Sequence, residues 1–97
     1  MTVWIDRHGA RKDAHLARHG VTVEQADEAL SDAGRVVLDP DPSARPGGRG
    51  VRTVGYSRSA GAVLCVITVT EKGITYGATA FKANTTYQGI YREANDG

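Results

Sequence analysis

The sequence predicts an α+β domain: an antiparallel meander sheet with two helices before it and one after it. Three observations carry that prediction. Apolar residues recur at helical spacing before Gly34 and again after Asn84. Between those regions the pattern changes to alternating or continuous runs rich in Val, Ile and Thr, broken by glycine-containing turns. The chain has 97 residues, the length of one domain with one modest core, so residues 1–97 are read as a single unit.

The elements follow in order. Thr2 to Ile5 is a short apolar segment containing Trp4 and reads as an edge strand. Ala10 to His19 reads as a helix, with Ala14 and Ala17 on one face and Leu16 nearby. Arg18 and His19 fall in its last turn, where cations suit the negative end of the helix dipole, and Gly20 fits the left-handed stop position. Thr22-Val23-Glu24-Gln25 matches a capping box and opens a second helix. Its buried stripe is Val23, Ala26, Ala29 and Leu30, and Ala33-Gly34 ends it. The two helices form an αα-hairpin.

Arg35 to Leu38 is β-branched and apolar, hence a strand. Asp39 to Gly50 holds all three prolines and three glycines, which predicts a long mobile loop over 39–50. Val51 to Ser57 alternates, with Val51, Thr53 and Gly55 opposed to Arg52, Val54 and Tyr56. Ala62 to Val69 is nearly all apolar, the mark of a central strand covered on both faces. Ser59-Ala60-Gly61 and Glu71-Lys72-Gly73 supply the hairpin turns on either side of it. Ile74 to Phe81 is the next strand, with Ile74, Tyr76, Ala78 and Ala80 on one face. Asn84 or Thr85 caps a closing helix whose stripe is Tyr87, Ile90, Tyr91 and Ala94, and residues 94–97 are read as a frayed tail.

Composition narrows the function classes. Twelve Lys+Arg against eleven Asp+Glu give a net charge of +1, so any nucleic-acid binding must use a local patch. Nine of the twelve basic residues are Arg, the planar fork suited to phosphate, and five of them (Arg35, Arg45, Arg49, Arg52, Arg58) lie between positions 35 and 58. The single cysteine, Cys65, excludes an internal disulfide and sits in an apolar run, so it reads as a buried, inert thiol. No apolar run approaches the ~20 residues of a membrane helix. Asp6, Arg7 and His8 stand where a signal peptide needs apolar residues, so the expectation is a cytoplasmic protein with no membrane partner.

Several groups are candidates for chemistry. His8, His15 and His19 lie within twelve residues, and His15 and His19 share a helix face at i, i+4. That spacing suits zinc, but the segment lacks the acid of a His-Glu-x-x-His motif and offers no third ligand, so no metal is assigned. His19 is also placed to act as a general acid or base. Gly47-Gly48-Arg49-Gly50 resembles an anion-binding loop but precedes a strand rather than a helix, so no helix N-terminus would face the anion. What remains is a set of basic and aromatic side chains on strands and loops: Arg49, Arg52, Tyr56, Arg58, Tyr76, Lys82, Tyr87 and Tyr91. Guanidinium groups hold phosphates and rings stack on unpaired bases, which is the raw material for single-stranded RNA. Tyr87 and Tyr91 lie on the apolar stripe of the last helix and read as core rather than site.

Several short stretches resemble the BrnT family of toxins, a branch of the RelE-like ribonuclease toxins of type II toxin–antitoxin systems. Leu16-Ala17-Arg18-His19-Gly20-Val21-Thr22-Val23-Glu24-Gln25-Ala26 is similar to the family's early N-x-x-K-H-G-V-S/T-x-E-E-A segment, with Arg18 for Lys. Trp4-Ile5-Asp6 resembles the opening Trp-Asp strand, and Asp39-Pro40-Asp41-Pro42 the acidic stretch before the loop. Arg52 to Ser57 with Leu64 to Ile67 resembles the family's central strand pair, and Ala80 to Glu93 its closing strand and helix.

The resemblance implies a RelE-like fold and a metal-independent endoribonuclease without a cofactor, whose RNA cleavage, on or off the ribosome, inhibits translation. It implies a cognate antitoxin, usually of the ribbon-helix-helix DNA-binding type, and assembly as a homo-oligomer or a toxin–antitoxin hetero-oligomer. Carried over by position, the catalytic set is Arg49, Arg52, Lys82 and His19, and the RNA-binding set is Arg45, Arg58, Tyr56, Tyr76 and Arg92. The family's Arg in S-A-R-x-A stands at Phe81 here, with Lys82 beside it, and the Arg expected five residues before Gly55 falls on Gly50. Those departures carry a second expectation: a BrnT-like protein with weakened or lost catalysis that serves as a protein-interaction module.

Overall fold

The structure is a computed structural model that describes residues 1–6 and 8–96. Arg7, in the segment read against a signal peptide, and Gly97, the last residue of the tail, lie outside the described residues. The elements are β1 (Thr2–Val3), α1 (Asp13–Ala17), α2 (Val23–Leu30), β2 (Val36–Leu38), β3 (Val51–Ser57), β4 (Ala62–Glu71), β5 (Ile74–Lys82) and α3 (Thr85–Asn95). They build an α+β fold with a five-stranded sheet in the order β1-β5-β4-β3-β2. Strands β2 to β5 form the expected antiparallel meander, but β1 pairs with β5 in parallel, so the sheet is mixed. Among the described residues no helix is long and apolar enough to cross a membrane.

The first helix is shorter than its pattern. Asp6 accepts hydrogen bonds from the His8 and Ala10 amides, and Lys12 N–H bonds to the Trp4 carbonyl. Those amides are thereby committed to a turn, and the helix starts only at Asp13. Within it Leu16 is fully buried while Ala14 and Ala17 are exposed, the reverse of the expected face. Gly20 adopts a φ of 73°, the left-handed stop. The second helix opens on the complete capping box: Thr22 Oγ1 accepts from the Gln25 amide, and Gln25 Oε1 accepts from the Thr22 amide.

Helices α1 and α2 cover one face of the sheet. Trp4, Leu16, Val21, Ala26, Ala29, Leu64, Val66 and Ala80 form its core. The approach is close: a methyl group on Gly55 would overlap the Ala29 carbonyl, and one on Gly77 would overlap the Trp4 ring. Helix α3 lies on the other face, over a second cluster of Val54, Cys65 and Ala83 flanked by Phe81, Tyr87 and Tyr91. Asn84 caps α3 by accepting from the Tyr87 amide. The helix runs through Asn95, whose amide group bonds to the Gly34 and Tyr91 carbonyls, so the end expected to fray is tied down as far as that residue.

A bulge decides which residues of β5 share a face. Val69 pairs with Tyr76, Ile67 with Thr79 and Cys65 with Phe81, and the register shifts between Ile67 and Thr68. The three β4 partners alternate regularly, so Tyr76, Thr79 and Phe81 all face α3's side. Ala80 and Lys82 pair with Val66 and Leu64 and belong to the hairpin side. The expected row of Ile74, Tyr76, Ala78 and Ala80 is therefore split. The extra residue in β5 resets the alternation.

Candidate functional site

The α3 side of the sheet holds the polar chemistry. Asp41 turns the long loop back into the protein: its amide bonds to the Gly50 carbonyl, and its carboxylate accepts from the Ser43 amide. Arg52 Nε donates to Asp41 Oδ1 at 2.7 Å, and Arg52 is only 6% exposed. Burial alone would push the Asp41 carboxyl up, but its hydrogen bonds to Arg52 and the Ser43 amide outweigh this and hold it below the usual carboxylate range. The guanidinium also lies 4.4 Å from the centre of the Tyr87 ring and 5.5 Å from that of Phe81. Residues 39–50, expected as a mobile loop, are thus anchored at Asp41.

Across β5 the wall is made by α1. His15 Nε2 is 3.0 Å from Thr79 Oγ1, so its ring is oriented by the sheet. The His15 and His19 rings are 5.3 Å apart in an edge-on arrangement, and His19 is 6.2 Å from Phe81. Burial pushes the His15 pKa below its ordinary value, and the positive charges of Lys12, His19 and Arg18 add to that shift. Beside Tyr76, a cavity of about 780 Å³ is lined by His8, Lys12 and Val69 and also by the carboxylates Asp6 and Glu71. The His15–Thr79 contact, the approach of His19 to Phe81 and the cavity at Tyr76 together mark a candidate groove along β5.

The expected site residues divide accordingly. Tyr76 and His19 line the groove. Arg52 lies behind Phe81 but is spent on Asp41. Arg49 is paired with Glu71. Glu71 is four residues beyond Ile67, the register partner of Arg52, and so about 13 Å along the strand. Lys82 sits on the opposite side of the sheet from Phe81, because neighbouring strand residues face opposite ways. The expected convergence of Arg49, Arg52 and Lys82 on one phosphate is therefore corrected: the three do not meet. Tyr56 and Arg58 border a separate cleft of about 750 Å³ whose other lining includes Glu24, Asp27, Glu28 and Asp32, surroundings that repel a polyanion. Arg45 is exposed in the loop and Arg92 on α3, away from any common centre. Tyr91, read as core, donates its hydroxyl to Asp32 at 2.6 Å and docks α3.

His15 and Lys12 also lie beside β5, though neither belongs to the RNA-facing set expected from the sequence. Their signal was the basic spacing Lys12, His15, Arg18, His19, which reads equally as a solvated helix face until β5 is placed beside it. Among the described residues no group of three or more His, Cys, Asp or Glu is placed to hold a metal ion. Cys65 is buried, and burial raises its pKa, as expected of an inert thiol.

No protein-family model, no curated protein and no solved structure matches this chain. The BrnT resemblance stands on its residue motifs alone.

Proposed function

We propose that the chain is the toxin of a type II toxin–antitoxin pair, an endoribonuclease of BrnT-like, RelE-like kind that takes single-stranded RNA along the β5 groove. The observation that carries this reading is the pairing of His15 and His19 above an aromatic floor, with Lys12 and Arg18 near His15. Tyr76 and Phe81 offer faces on which unpaired bases stack, and the cations attract the phosphates between them. In the tautomer that donates Nε2–H to Thr79, His15 keeps a lone pair on Nδ1 to accept a proton, and burial favours its neutral form.

The chemistry then needs only acid and base. His15 removes the proton of a 2′-hydroxyl, whose oxygen bonds to the adjacent phosphorus. His19 gives a proton to the departing 5′-oxygen as its bond to phosphorus breaks. The products are a 2′,3′-cyclic phosphate and a 5′-hydroxyl. Expression of the chain without an antitoxin is expected to arrest growth and shorten messenger RNA; unimpaired growth with intact RNA is the contrary result.

A second reading is favoured by the Arg52–Asp41 pair and the position of Lys82. With its expected cations committed elsewhere, the fold serves as an interaction module for a partner protein. Capture of the product of a neighbouring gene, with no RNA cleavage by the purified chain, distinguishes this reading from the first.

A further inference from the structure

The sheet has two edges, and the β2 edge has a self-complementary sequence. Among the described residues no strand pairs with the outer side of β2. Its three residues are bracketed by Arg35 and Asp39, giving Arg35-Val36-Val37-Leu38-Asp39. Alternation puts Arg35, Val37 and Asp39 on the hairpin side and Val36 and Leu38 on the α3 side. All three on the hairpin side are exposed, Val37 at 53%. Val36 and Leu38 are half-buried beside Val54 and Cys65.

We propose that β2 is the seam of a homodimer, in which a second copy of this chain adds its own β2 in antiparallel register about Val37. That register sets Val37 against Val37 on the two-fold axis and Val36 against Leu38 on either side of it. At each end Arg35 of one copy faces Asp39 of the other, so the two-fold produces two opposite-charge pairs. Moving the register by one residue puts every side chain on the wrong face and separates the charges. Arg35 already donates from Nη1 to the Asp32 carbonyl, which holds the guanidinium at the strand's start and leaves its remaining donors for a partner. The axis is perpendicular to the sheet, so both copies keep α3 on the same side. Asn95 of α3 bonds to Gly34 just before β2, which brings the C-terminal ends of the two helices beside the seam. A three-residue edge is too short to capture strands indiscriminately. The flanking charges make it selective for itself.

The test is sedimentation velocity over a wide concentration range on the whole chain and on charge variants at exposed positions. The wild type is expected to reach twice its mass of 10.3 kDa. Arg35→Glu and Asp39→Arg should each sediment as monomers, because each sets like charges opposite one another. An equimolar mixture of the two variants should dimerise again, since both end pairs become opposite in sign, and so should the double variant. A wild type that stays monomeric throughout, or a dimer indifferent to both substitutions, overturns the proposal. Circular dichroism melts of each variant establish that a lost dimer is not a lost fold.

Discussion

The two faces of the sheet are built on different physics. The hairpin face is closed by apolar contact: Leu16, Ala26, Ala29, Leu64, Val66 and Ala80 are all fully buried, and two glycines admit the Ala29 backbone and the Trp4 ring. The α3 face has fewer fully buried side chains and none on α3 itself. It is held by polar pairs instead, Arg52 with Asp41 and Tyr91 with Asp32. Apolar burial is non-directional and fixes the fold. Paired polar groups are directional, and beside them the face leaves β5 open to the histidines of α1. Helix α1 serves both sides: Leu16 enters the hairpin-face core, while His15 reaches Thr79 on β5.

Breaking the polar face gives the largest expected effect. Arg52→Ala leaves Asp41 buried without its cation and is expected to cost about 3–5 kcal/mol in urea unfolding. Restoring volume without charge, by Arg52→Met together with Asp41→Leu, is expected to recover most of that loss. Recovery would show that desolvated charge, rather than a lost contact, sets the cost.

On the hairpin face, Leu16→Ala opens a cavity at full burial and is expected to cost about 2–5 kcal/mol. It should lower hydrogen-exchange protection across β4 as a whole. Tyr91→Phe removes one hydrogen bond to a carboxylate and is expected to cost about 1.5 kcal/mol. Its effect should be confined to α3, whose amides would exchange faster while β4 stays protected. Equal loosening of both elements would contradict the separation of the two faces.

The smallest effect is a pH dependence. Glu28 accepts from the Ser59 hydroxyl, the Ser57 hydroxyl and the Ser59 amide, which lower its pKa to about 2. A depressed carboxyl contributes stability that is full above its unfolded value, near 4.5, and is lost as pH falls toward about 2. Glu28→Gln should flatten acid unfolding in that window. Tyr91 gives the opposite sign at the other end of the scale. Its hydrogen bond to Asp32 raises its pKa to about 12, so its contribution is full below pH ~10 and fades above it.

Most of the fold was legible, and the reasons are local. The capping box at Thr22 and the stop at Gly20 are read from neighbours in sequence, and both stand where expected. The misreadings come from interactions that sequence spacing does not carry. Asp6 captured the amides that would have begun α1. One extra residue in β5 reset the alternation and split Ala80 from Tyr76, which the pattern had placed on one face. Arg52 looked like a phosphate ligand because Arg suits phosphate, yet its partner Asp41 lies eleven residues earlier, in a loop that read as mobile. The groove was half visible. Tyr76 and His19 were named, whereas His15 and Lys12 acquire meaning only when α1 is laid against Thr79.

The most direct test of the proposed RNA site is cleavage of a labelled single-stranded RNA by the purified chain, compared with His15→Ala and His19→Ala. The account predicts cleavage by the wild type, with a 2′,3′-cyclic phosphate at the new end. It predicts loss of cleavage in both variants, each still folded by circular dichroism at the assay temperature. Intact RNA with the wild type, or undiminished cleavage by both variants, would contradict it.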